Sequence, residues 1–357
     1  MIYVVLLVIA IGLFLGVKQR KSQVIWSVVL LTIMMLIVGM RDETVGVDSP
    51  QYAYRFTLIT DLEGLIYEPL YQATVNFING FTNEYGWWFL FMSFITYLPL
   101  GIAICYYSKM PLLSVLIYMI SLVHLFPENM NIMRQSVALS LLLLSYISFA
   151  EKRRVLTVLL FICALGFHFS SLMLIPFYFI CKYNFKKRVV VFLLAITFFI
   201  GFFSPYWLSI DAISHFFPAL EGAAEMGLEK LSNYEDKSAL NAFGLITSML
   251  PINILCFLLI PSENDEKSYK YLFNFYFIGT IISNIIYCAI PFGFRYSYPF
   301  FVVESVLFAY KYKYDKRVRF FLVFIIIYYL YYLVSVSLST KPNLMIPYKI
   351  NPLFDIL

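Results

Sequence analysis

Uninterrupted apolar runs recur from one end of this 357-residue chain to the other. Most are roughly 17–25 residues long, the length a helix needs to cross the hydrocarbon of a bilayer. No water reaches that layer to satisfy backbone N–H and C=O groups, so such runs must be helical, and their strong hydropathy is not the alternating pattern of a membrane barrel. The expectation is an all-α, polytopic integral membrane protein with about 12 transmembrane helices, some of them short or broken. They form a single transmembrane domain over residues 1–357, with two extended outer loops near 41–85 and 204–240. The first run, 2–17, lacks a basic n-region and a small-residue cleavage site, and reads as a retained span.

The spans are expected near 2–17, 23–40, 86–107, 110–126, 133–150, 155–167, 169–181, 189–207, 241–260, 271–289, 297–310 and 319–338. The connections between them alternate in charge. Those on one side, such as Lys18 to Lys21, Glu151 to Arg154, Lys182 to Arg188 and Lys311 to Arg319, hold 18 of the 26 basic residues. The opposite side holds most of the acidic ones. By the positive-inside rule the basic side is cytoplasmic, which leaves both termini outside. Residues 155–181 test this scheme: as one helix they would put two basic clusters on opposite faces. Two short helices meeting at Gly166-Phe167-His168-Phe169-Ser170-Ser171 keep both clusters inside, with His168 in a half-buried turn near the outer end.

Several polar groups on the outer side are costly to keep there unless they work. Arg41 to Tyr52 combines an arginine at the membrane edge, a glycine turn, Asp48 and Tyr52, a set suited to phosphate or sugar hydroxyls; the plain alternative is a solvated loop with a snorkelling arginine. Glu68 precedes Pro69 at a helix start, where a carboxylate is also favoured by the helix dipole alone. Tyr71 follows one turn on. Arg134 lies in the first turns of a membrane helix beside Gln135, where a guanidinium needs an anion or a carboxylate such as Glu128. Arg295, beside Tyr296, repeats the situation, and arginine suits bidentate phosphate recognition. His168 alone among the three histidines is flanked by apolar helices on both sides; His124 and His215 look peripheral.

No metal-ligand spacing links these residues, and the five cysteines are scattered singly through apolar segments. Nucleotide-binding glycine patterns and the nucleophile elbow are absent, so no cofactor and no metal are expected. The basic clusters are too brief to make a nucleic-acid surface.

Taken together, these windows resemble the EpsG family of Wzy-type polysaccharide polymerases. The resemblance rests on Arg41…Gly46-Val47-Asp48…Tyr52, Glu68-Pro69-Leu70-Tyr71, Met133-Arg134-Gln135 and the basic Lys152-Arg153-Arg154. It continues through Phe167-His168-Phe169-Ser170-Ser171, Arg295-Tyr296 and Ile346-Pro347-Tyr348. It implies a glycosyltransferase of the bacterial cytoplasmic membrane with its site facing outward. Such an enzyme joins oligosaccharide repeat units carried on undecaprenyl diphosphate, moving the growing glycan to the non-reducing end of the next unit, for O-antigen, capsule or exopolysaccharide.

Under that reading His168, Asp48 and Glu68 compete for the role of base. Arg134 and Arg295, with Arg41 a weaker third, hold the diphosphate, and Tyr52, Tyr71, Gln135 and Tyr296 meet the glycan. The partners are the lipid-linked substrates and membrane lipids, with a chain-length regulator and a flippase alongside. A lipid-linked glycan flippase, an O-antigen-ligase-like transferase and a sugar acetyltransferase are the rival readings.

Overall fold

The computed structural model describes residues 2–57, 68–207, 242–287, 293–338 and 347–354. Tyr67, the stretch 221–236 and the rest of the second outer loop beyond Trp207, His215, Cys288 and Ile346 lie outside them. Among the described residues every regular element is helical, and the only extended pairing is an isolated antiparallel bridge between Arg41 and Ile350. The chain forms two compact units, one of Met1–Ile180 with Val302–Leu357 and one of Cys181–Phe301.

The first unit opens with α1 (Ile2–Gly16), α2 (Arg20–Gly39), α3 (Ser49–Thr57), α4 (Pro69–Asn79) and α5 (Tyr85–Tyr107). It continues with α6 (Pro111–Met119), α7 (Leu125–Glu128), α8 (Met133–Ala150), α9 (Arg154–Phe167), a 3-10 turn (Phe169–Leu174) and α10 (Ile175–Ile180). The second unit holds α11 (Lys187–Trp207), α12 (Ala242–Leu258), α13 (Lys267–Ile286), a 3-10 turn (Gly293–Ser297) and α14 (Tyr298–Phe301). The chain then returns to the first unit as α15 (Glu304–Tyr312) and α16 (Lys316–Leu338).

Four of these helices, α2, α5, α8 and α16, are long and apolar enough to cross a membrane. The protein is a helical membrane protein, but the described residues stop well short of twelve such helices. Two of the expected spans are divided because the helix ends while the run stays apolar. The run expected as one span at 110–126 ends as a helix at Met119. Beyond it the Ser121 hydroxyl accepts from Leu125 N at 2.9 Å, His124 turns into the left-handed region at φ 57°, and a new short helix begins. The span expected at 297–310 is likewise two helices, α14 and α15.

Helix α8 is the centre of the first unit, packed between α5 and α9. Its buried serines explain how neighbours come close: small side chains let membrane helices approach, and their hydroxyls bond across the interface. Ser145 Oγ meets Thr157 O at 3.0 Å and the Tyr178 hydroxyl at 2.8 Å, tying α8 to α9 and α10. Helices α2 and α5 pack by the same device, Ser93 Oγ donating to Met35 O at 2.7 Å. The expected break at His168 is present. Residue 168 is extended at φ −156°, and Ser171 N donates to its carbonyl, which starts the 3-10 turn.

In the second unit α11, α12 and α13 pack together. Buried amides in an apolar bundle need partners, and Asn253 and Asn284 supply each other, with Nδ2–Oδ1 bonds of 2.7 and 3.0 Å. Asn284 also donates to Thr197 Oγ1 at 3.1 Å, so one polar cluster pins three helices.

Candidate functional site

The site is built where the start of α4 meets the start of α8 and the end of α9. Pro69 occupies the first turn of α4 and needs no N–H partner there. That leaves Glu68 at the N-cap position with a side chain that makes no capping bond. Its carboxylate turns to Arg134, whose Nη1 donates to Oε2 at 2.7 Å. The other oxygen, Oε1, faces His168 Nδ1 at 3.4 Å. That contact is too long and misaligned for a formed hydrogen bond, so the bond from Arg134 is the firmer of the two. Glu68 is nearly enclosed at 7% side-chain exposure, while Arg134 at 26% and His168 at 25% reach solvent.

The electrostatics follow from that geometry. Burial pushes the Glu68 carboxyl up, but the imidazole facing it and the Arg134 charge outweigh this and hold it down to about 2. At neutral pH it is an ionised, fully committed carboxylate. Close packing sets the distances. A Cβ added at Gly166 would fall 2.6 Å from Leu70 Cγ, so only glycine lets the end of α9 lie against the first turn of α4. That approach brings His168, two residues on, to Glu68.

Aromatic rings back the group. The Arg134 guanidinium lies 5.4 Å from the Tyr71 ring centroid, close enough for a cation–π attraction. Tyr52 is also near enough to Arg134 to act on its charge. Both tyrosines pack edge-on against Trp88, at 6.3 Å for Tyr52 and 5.7 Å for Tyr71. With their rings 8% and 3% exposed, a hydroxyl is what either could offer a sugar. Gln135, the next residue on α8, is buried at 8%.

Behind this group the loop 41–49 is clasped to the segment before α8. Arg41 Nη2 and Ser49 Oγ both donate to Met130 O at 3.0 Å, and Arg41 Nε donates to Ser49 Oγ at 3.2 Å. Arg41 Nη1 donates to Val38 O, and the guanidinium lies 4.3 Å from the Phe89 ring centroid. Gly46, at φ +99°, passes so close to Met130 O that a Cβ would sit 2.6 Å away. Asp48 N donates to Asn131 Oδ1 at 3.0 Å, and Asn131 Nδ2 reaches Glu128 Oε2 at 3.4 Å. The window 347–351 closes the clasp. Tyr348 donates to Ile37 O at 2.9 Å, and Asp42 N and Asn351 N pair with Lys349 O and Met40 O.

Five residues singled out in the sequence therefore meet: Glu68, Arg134, His168, Tyr52 and Tyr71. Two others stand elsewhere. Arg41 is 0% exposed with its fork on backbone carbonyls and a serine. Its donors are taken up in anchoring the loop. Arg134 pairs with Glu68, and Glu128, the partner weighed for it, accepts from Asn131 Nδ2. His124 is not peripheral: its ring stacks on Tyr332 at 3.7 Å between centroids.

Asp48 is half-buried in the clasp beside Asn131. Arg295 and the 49%-exposed Tyr296 stand in the 3-10 turn of the second unit. Sequence reasoning missed Asn131, Ser49 and the Met130 carbonyl. The polar run Glu128-Asn129-Met130-Asn131 was the available signal, since fully buried asparagines need partners. Among the described residues no group of His, Cys, Asp and Glu is arranged to hold a metal ion.

No curated protein and no solved structure matches this chain. A sequence profile of the EpsG family matches residues 24–350. The match takes in the Arg41–Asp48 loop, the Glu68–Arg134–His168 group and the Tyr348 latch, and the chain belongs to the EpsG family, a family of Wzy-type polysaccharide polymerases and glycosyltransferases.

Proposed function

We propose that the protein polymerises oligosaccharide repeat units carried on undecaprenyl diphosphate, at the outer face of the bacterial cytoplasmic membrane. The observation that supports this reading best is the convergence of Glu68, Arg134 and His168 at a partly open edge of the first unit. The many-span topology with both termini outside, and the outward orientation of the site, belong to the same proposal.

The acceptor hydroxyl of one unit attacks the anomeric carbon of the lipid-linked glycan. The bond from that carbon to the diphosphate oxygen breaks, and the hydroxyl proton passes to a base. Arg134 stabilises the charge that develops on the leaving diphosphate, as fixed donors do best in a site that excludes water. A carboxylate held at about 2 is a weak base, and general-base efficiency falls with basicity. Glu68 therefore serves as the anchor that aims Arg134 and the imidazole, and His168 takes the proton. With Nδ1 turned to Glu68, Nε2 is left as the accepting nitrogen. Tyr52, Tyr71 and Gln135 are the glycan-facing candidates beside them. Asp48 is the second candidate for the base, and Arg295 and Tyr296 keep their proposed substrate roles on the sequence argument alone.

The test is incubation of the purified protein, in proteoliposomes, with lipid-linked repeat units. A ladder of products spaced by one repeat unit is expected. Translocation without bond formation, or transfer to a different lipid acceptor, would replace polymerisation with the flippase or the ligase reading.

A further inference from the structure

Two adjoining cavities of about 630 and 280 Å³, both lined by Met35 and Phe94, make a groove along α2 and α5. It starts at Phe81 and Trp87, passes Phe94 and Leu98, and ends at Gly101 and Cys105. The length of α5 from Trp87 to Cys105 is about 27 Å at 1.5 Å per residue, close to the thickness of a hydrocarbon core. The wall has little to offer a polar ligand. Its two threonines are already engaged, Thr32 donating to Val28 O at 2.9 Å and Thr82 accepting from Glu84 N at 3.1 Å.

Helices α4 and α5 lead from the site to the mouth of the groove. Helix α4 starts next to Glu68 and ends with Ile78 in the mouth. On α5, Trp88 packs against Tyr71 beneath Arg134, while the adjacent Trp87 lines the groove. A head group at Arg134 and a chain in the groove would thus be held by the same two helices.

We propose that this groove holds the polyprenyl chain of the lipid-linked substrate, an assignment that rests on the polymerase reading above. Gly101 keeps the inner half open. Its missing side chain leaves a gap bounded by Leu31, 3.4 Å from where a Cβ would stand. Leu98, 48% exposed, faces the same channel. A branched chain fills such a space by dispersion and area burial, with no directional bond required.

The experiment compares one repeat unit on two diphosphate carriers, a long polyprenol and a prenyl chain too short to pass Phe94. Wild type, Gly101→Leu and Leu98→Trp are assayed with both in proteoliposomes. Both variants are expected to raise KM for the long-chain donor about tenfold, the worth of roughly two buried methylenes, and to leave KM for the short-chain donor unchanged. An unchanged long-chain KM in both variants, or an equal rise for the two donors, overturns the groove assignment while leaving the polymerase standing. If the wild type joins repeat units from neither donor, the polymerase reading falls and takes the groove with it.

Discussion

Gly166 and Leu70 are in such close contact that the glycine has no room for a methyl group: its Cβ would lie 2.6 Å from Leu70 Cγ and 2.8 Å from Cδ1. This contact sets the distance between two helices whose ends carry Glu68 and His168, members of the proposed catalytic group. Gly166→Val should push α9 away from α4, at a cost of about 1–3 kcal/mol for overpacking. Polymerisation is expected to fall further than that loss of fold explains. Comparing product yield with the fraction of protein surviving a thermal challenge in detergent separates the two effects.

Arg134 carries a fork that donates to Glu68 and remains partly open to solvent. Arg134→Lys keeps the charge but loses the planar geometry. It should fold and bind lipid-linked substrate, yet lower turnover roughly 100-fold, as loss of one preorganised donor does elsewhere. Near-normal turnover by the folded lysine variant would make this arginine a structural partner of Glu68 and nothing more.

His168→Ala removes the proposed base, and turnover is expected to drop by about 100-fold or more with substrate binding retained. A His168→Ala protein that still makes full-length polymer passes the role to Asp48, and Asp48→Asn is the variant to assay next.

The Glu68 carboxyl is held down to about 2 from an ordinary value of 4.5. A depressed carboxylate adds stability that is fully present above the ordinary value and is lost as pH falls through the depressed one. Melting temperature in detergent should therefore decline between about pH 4.5 and 2. Glu68→Gln should be less stable at neutral pH and should lack this part of the decline. Parallel curves for the two proteins would show that the carboxylate is not coupled to the fold.

Arg41 is wholly buried, with its donors on Val38, Ser49 and Met130. Arg41→Ala leaves those acceptors unpaired and should destabilise the protein by about 3–5 kcal/mol. The loss should show as reduced membrane-inserted yield, and a bulkier head group on the substrate should not rescue it. A stable Arg41→Ala protein with weakened diphosphate binding would restore the ligand role.

How much of this was legible in the sequence depends on range. Helix α8 was bounded correctly because its apolar run begins at a polar segment and ends at a charged turn. The break at His168 was legible because a single helix over 155–181 would put two basic clusters on opposite faces of the membrane. The breaks after Met119 and Phe301 were hidden inside runs that stay apolar. Of the site, the members could be named but not the pairing. Glu68 and Arg134 are 66 residues apart, and Glu128, six positions from Arg134, was the nearer carboxylate in sequence. Only packing of α4 against α9 decides between them. The partners of Arg41 were hidden for a related reason: an arginine at a membrane edge has the same sequence signature whether it faces a phosphate or a carbonyl.

The pairing of residues 349–351 with the chain at 40–42 also sets an order of assembly. Asp42 and Met40 find their partners in a segment that the ribosome makes only after α16. Once the chain has reached Met130 the loop that carries Asp48 can be held through Arg41 and Ser49, but it still lacks this strap. The contact that closes the Asp48 loop is thus made after its other contacts, when residues 348–351 pair with the end of α2.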